Sequence, residues 1–144
     1  MQRAAARKTL QKNIPMFISI RVVPVFAILF FIFILWIIVV SDSGTPNFFI
    51  DGVRNIPYGD KFGHLSLYGV LAMLVNLSLK SQQRKYFGLP FGCALVLLFA
   101  LVEELTQAFF PSTRTLDIGD VFADFMGIYF AAWVSDRFSR RKHT

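Results

Sequence analysis

From Val22 to Val40 the chain reads VVPVFAILFFIFILWIIVV, 19 residues without one charge. At about 1.5 Å of rise per residue, a helix of that length reaches across the roughly 30 Å of hydrocarbon in a bilayer. A helix apolar on every side is buried in a large core or in lipid, and a chain of 144 residues builds no core large enough to enclose this one. A secretory signal is the rival reading, but its apolar core is about 7–15 residues and ends at a small-residue cleavage site. Here the longer run is followed by SDSGTPN, so an uncleaved anchor is expected. Three more apolar runs follow, Phe62–Leu79, Phe87–Val102 and approximately Ile118–Ser135, in a chain that is 55% hydrophobic with 17 Phe. The expected fold is all-α, a bundle of four transmembrane helices.

Charge orients the bundle. Arg3, Arg7, Lys8, Lys12 and Arg21 precede the first run, Lys80, Arg84 and Lys85 fill the link between the second and third, and Arg137, Arg140, Arg141 and Lys142 follow the fourth. Only Arg54, Lys61 and Arg114 are left for the other side, together with every acidic residue except Asp136. Cytoplasmic loops retain Lys and Arg, so both termini are expected to be cytoplasmic, in a multi-pass membrane protein. The net charge of +6 then reflects topology and an affinity for anionic headgroups. It does not suggest nucleic acid, since no basic segment is interleaved with stacking aromatics. The chain divides into a basic cytoplasmic segment (1–21), an anchor helix (22–40), an extracytoplasmic loop (41–59) with a short interfacial segment at Asn47–Ile50, a core of three helices (60–136) and a basic tail (137–144). Pro24 is expected in the first turn of the anchor, and Asp60 as the N-cap of the second helix. The lone Cys93 forms no intrachain disulfide and reads as a small core residue.

The remaining polarity is concentrated. EELTQAFFPSTRTLDIGDVFAD, Glu103 to Asp124, holds five carboxylates and Arg114 between two apolar runs. For the last helix to span, it must start near Asp117, which puts Asp120 and Asp124 inside it. Counted outward from the basic ends at the helical rise, Asp124 lies about 18 Å up, Asp120 and His64 about 24 Å, and Glu104 about 28 Å. Lys61, His64 and Tyr68 follow i, i+3, i+7, and Asp120, Asp124 and Gly127 follow i, i+4, i+7, so each set shares a helical face. Glu103 and Glu104 both stand at helical spacing to Gln107; adjacent positions diverge by about 100°, so only one of the two is expected to face inward. An Asp at a helix centre costs about 2.5–3.5 kcal/mol on insertion scales, which is tolerable where such groups face each other, a cation or water. A polar pocket open to the outside is expected.

DKFGHLSLYGVL, followed downstream by EELTQAFFPSTRTLDIGDVFADFMG, resembles the VanZ-like family of small bacterial membrane proteins. The pattern falls on Asp60, Lys61, His64 and Tyr68, on Glu104 and Gln107, and on Arg114, Asp117, Asp120 and Gly127. The resemblance covers the last three helices and favours Glu104 over Glu103. Where the family has Asn, this chain has Asp124; a protonated Asp keeps the hydrogen-bonding role, and a charged one needs a cation. The founding member is associated with resistance to teicoplanin, which implies action in the cell envelope. No established reaction comes with the resemblance.

The residue types suggest two kinds of function. In the first, His64, Glu104 and Asp120 act as acid–base groups, while Asp60, Lys61, Tyr68, Gln107, Arg114, Asp117 and Asp124 bind a lipid or lipid-linked envelope precursor at headgroup level. In the second, the polar residues only tie the helices together, in a monomer or homo-oligomer without catalysis. His64, Glu104, Asp120 and Asp124 are also a reasonable ligand set for a divalent metal, since oxygen and imidazole suit Mg, Mn or Zn.

Overall fold

The computed structural model describes residues 15–79, 85–109 and 116–141. These form helices α1 (Pro15–Asp42), α2 (Phe48–Arg54) and α3 (Gly59–Leu79), a hairpin of β1 (Lys85–Tyr86) and β2 (Leu89–Pro90), then α4 (Phe91–Gln107) and α5 (Ile118–Arg141). Among the described residues, three stretches are long and apolar enough to cross a membrane: Val22–Asp42, Gly59–Leu79 and Ile118–Arg137. The four expected spans are thus three by length and composition. At 17 residues, α4 rises only about 25 Å.

From Val22 to Asp42 the buried positions of α1 are Ala27, Ile34 and Ser41, each seven residues from the last, so a narrow stripe packs inward there. Phe26, Ile28, Leu29, Ile32, Phe33 and Val39 are exposed around it, as expected of a helix whose solvent is lipid. The stripe lies against α3, and Phe31 meets Phe99 of α4 edge to face at 5.1 Å. The helix starts earlier than expected, at Pro15, so Pro24 is interior to it rather than in its first turn. The helix continues past Pro24 despite the missing N–H.

The core lies where α3, α4 and α5 meet, around Leu71, Ala72, Cys93, Val96, Ala100, Ile128 and Ala131. Its many small residues let the backbones approach, which is how membrane helices gain packing energy where lipid offers no hydrophobic drive. At Gly127 α3 and α5 come close: a Cβ there would collide with the Leu65 carbonyl group, and one on Gly69 would lie 3.1 Å from the Gly127 oxygen. Gly92 meets α3 in the same way, 2.5 Å from the Asn76 Cα for an added Cβ, whereas Gly88 is a turn residue with φ +79° and nothing around it. Gly88 and Gly92 therefore make no common helix-contact face. The amide of Asn76 and the hydroxyl of Ser135 are buried without a hydrogen-bond partner among the described residues.

Three local expectations change. The fold is not wholly α: β1 and β2 pair antiparallel, Lys85 with Pro90 and Tyr86 with Leu89, about a turn in which Phe87 and Gly88 both have positive φ. That geometry matches the twist of a two-residue hairpin and was hidden by the apolarity of its tip. Asp60 is in the first turn of α3 rather than its N-cap, because Gly59 is already helical; its charge still complements the helix dipole. The interfacial segment at Asn47–Ile50 is the start of α2, seven residues long and extending to Arg54.

Candidate functional site

Asp117 prepares one wall of the cluster. Its Oδ1 accepts the Gly119 N–H at 2.7 Å, the N-cap contact that starts α5, while its other oxygen accepts from the Lys61 ammonium. Lys61 also donates to Asp120 Oδ1 at 3.1 Å, so one cation on α3 clamps the first turn of α5. The Lys61 ammonium, aided by the Gly119 N–H, holds the Asp117 carboxyl below its ordinary 3.8. A depressed folded pKa stabilises fully above the unfolded value and loses that effect as pH falls through the folded one. The gap in unfolding temperature between wild type and Asp117→Asn should therefore stay constant at neutral pH and close only in acid. A gap that closes near neutrality would contradict the clamp.

One turn deeper, His64 Nδ1 and Asp124 Oδ1 are 3.1 Å apart, both buried. The imidazole stacks on Tyr68 with ring centres 5.8 Å apart, and the Tyr68 hydroxyl donates to Glu103 Oε2 at 3.2 Å. From α4, the Gln107 amide donates to Glu104 Oε2 at 2.8 Å and to Glu103 Oε1 at 3.3 Å. Glu104 Oε1 accepts the Asp117 backbone N–H at 3.0 Å, which closes the link back to α5. The result is a polar cluster where the start of α3, the end of α4 and the start of α5 meet.

The sequence expectations fare unevenly against this geometry. Lys61, His64, Tyr68, Glu104, Gln107, Asp117, Asp120 and Asp124 do come together, and Asp60 lies at the exposed margin, near His64 and Asp120. Arg114, with Ser112 and Thr113, lies outside the described residues. The expectation that only one of Glu103 and Glu104 faces inward is wrong: both are buried, at 4% and 2% exposure. Because α4 touches both α3 and α5, its covered arc is wider than the roughly 100° between neighbours. The i+3 and i+4 relations of Gln107 to both glutamates were the available signal. Counting residues set His64 level with Asp120, and the two do lie near each other, while the ring's hydrogen-bond partner is Asp124.

Two triplets have the composition of a metal site, with one ligand atom from each residue within 4.8 Å of the others: His64, Glu104 and Asp124, all buried, and Asp60, His64 and Asp120, of which Asp60 is exposed. No family model, no curated protein and no solved structure matches this chain.

Proposed function

We propose that this chain is a VanZ-like multi-pass protein of the bacterial plasma membrane, whose outward-facing polar cluster binds the polar head of a lipid or lipid-linked envelope component. In this reading α4, lengthened by the buried Leu89–Pro90 strand, is the fourth membrane-crossing segment, and both termini are cytoplasmic. The observation that carries it is the density of buried carboxyl groups. Glu103, Glu104, Asp120 and Asp124 are each under 5% exposed, far more than tying three helices together requires, since isolated charges within a membrane are expensive. The Lys85–Asp136 ion pair, 3.0 Å, lies at the opposite end of the bundle among the basic residues, in keeping with a cytoplasmic assignment there. His64, Glu104 and Asp120 would supply acid–base groups at headgroup depth, and an action on envelope precursors fits the teicoplanin association of the family it resembles.

A second reading, that the cluster is a non-catalytic tie, is favoured by the chain of hydrogen bonds from Tyr68 through Glu103, Gln107 and Glu104 to Asp117. The two readings separate on a conservative change. Glu104→Gln should accumulate and unfold like wild type while losing a lipid that wild type retains in native mass spectrometry. Equal lipid retention, or loss of the protein itself, would favour the tie.

Orientation has its own test. A cysteine replacing the exposed Asn55 should react with a membrane-impermeant maleimide in intact cells, and one replacing the fully exposed Phe87 only after permeabilisation. The reverse pattern would invert the protein and put the cluster on the cytoplasmic side.

A further inference from the structure

Two buried carboxyl groups, Glu104 and Asp124, face the buried His64 at the floor of the cluster. Asp120 is paired with the Lys61 ammonium, whereas among the described residues no ammonium is bonded to Glu104 or Asp124. A second observation points to the same place. Asp124 is 2% exposed, and its Oδ2 is buried with no hydrogen-bond partner among the described residues, although a carboxylate oxygen left bare in a low-dielectric interior is costly.

We propose that His64, Glu104 and Asp124 bind a divalent cation at the floor of the cluster, an inference that rests on the cluster being a binding site and extends it. Ligand atoms at cis positions around an ion with bonds of about 2.0–2.2 Å lie about 3 Å apart. His64 Nδ1 and Asp124 Oδ1 are 3.1 Å apart, and the whole triplet falls within 4.8 Å, so small side-chain movements close the site. Glu104 is already oriented for the role: Gln107 and the Asp117 N–H each bond one of its oxygens, leaving a lone pair on each. Hydrogen bonds of this kind orient metal ligands and raise affinity. Asp120 is excluded from the set because its Oδ1 is bonded to Lys61, whose ammonium would repel a cation there. One imidazole with two carboxylates suits Mn²⁺ or Zn²⁺ better than Ca²⁺, which takes oxygen ligands only. A cation here would offer a coordination position to a phosphate oxygen, beside the ammonium of Lys61.

The test uses the full-length protein, stripped with chelator and held in neutral detergent, titrated with Mn²⁺ and followed by electron paramagnetic resonance. One Mn²⁺ should bind per chain, with spin-echo modulation from a directly bound histidine nitrogen. Asp124→Asn should weaken binding by more than about tenfold, His64→Gln should abolish the nitrogen modulation, and Asp136→Asn at the far end should change neither. Saturable binding without nitrogen modulation, affinity unchanged by Asp124→Asn, or no stoichiometric binding would each overturn the proposal. The wild-type spectrum decides the matter even if a variant fails to fold. Native mass spectrometry of the same stripped sample keeps the two readings apart: lipid retained without Mn²⁺ binding sinks the cation site and leaves headgroup binding standing. Mn²⁺ bound without lipid does the opposite.

Discussion

Gly127→Ala is expected to destabilise the protein by about 3 kcal/mol, the upper end for overpacking a close contact, and to separate α3 from α5. The reason is that backbone meets backbone. The added methyl would press on the Leu65 carbonyl group, with the carbonyl carbon 3.0 Å away and the Leu65 Cα 3.2 Å away. No side chain can rotate aside to relieve this, so the helices themselves must move. Gly127 is one helical turn from Asp124 on the same face, and Leu65 adjoins His64, so the movement falls directly on their 3.1 Å pair. Gly63→Ala is the matched control. A Cβ on Gly63 meets nothing within 4 Å, and Ala is favoured over Gly in a helix by up to about 1 kcal/mol, so this change should be neutral or stabilising. Reversible unfolding in mixed micelles measures both. Equal effects from the two substitutions would mean that α3 and α5 are not in close contact at Gly127.

The second large effect is expected from His64→Leu, measured with chelator present so that no cation contributes. Removing the ring leaves Asp124 with neither oxygen bonded, since Oδ2 already lacks a partner among the described residues. Stranding a buried charge by deleting its partner costs about 3–5 kcal/mol, whereas replacing both members by apolar groups is often near neutral. The double variant His64→Leu/Asp124→Leu should therefore be more stable than His64→Leu alone. If it is no better, the loss comes from packing against Tyr68 rather than from the stranded carboxylate.

Most of the architecture could be read from the residues. Uncharged length marked the long α1, and the i, i+3, i+7 stripes gathered polar groups of α3 and α5 that do in fact meet. What the residues did not show was the pairing partner and the arc. Counting outward at 1.5 Å per residue brought His64, Asp120 and Asp124 to similar depth without saying that the ring bonds Asp124. Likewise, the angular rule that allowed only one inward glutamate describes a helix packed on one neighbour; α4 packs on two. The hairpin was missed because its Phe87 tip, wholly exposed, continues an apolar run that reads as helix. Neither the pairing partner of a buried His nor the number of neighbours around a helix is encoded locally. Both depend on how far Gly127 and Gly92 let the helices approach.

The most direct test of the central claim is an experimental map of the protein in a lipid nanodisc, at a resolution that shows side chains. His64, Glu104 and Asp124 are expected to converge from three different helices, with His64 against Asp124 and Gln107 against Glu104, at the end of the bundle away from Lys85 and Asp136. Density showing His64 or Asp124 turned toward acyl chains, with the three groups apart, would contradict the site and the functions built on it.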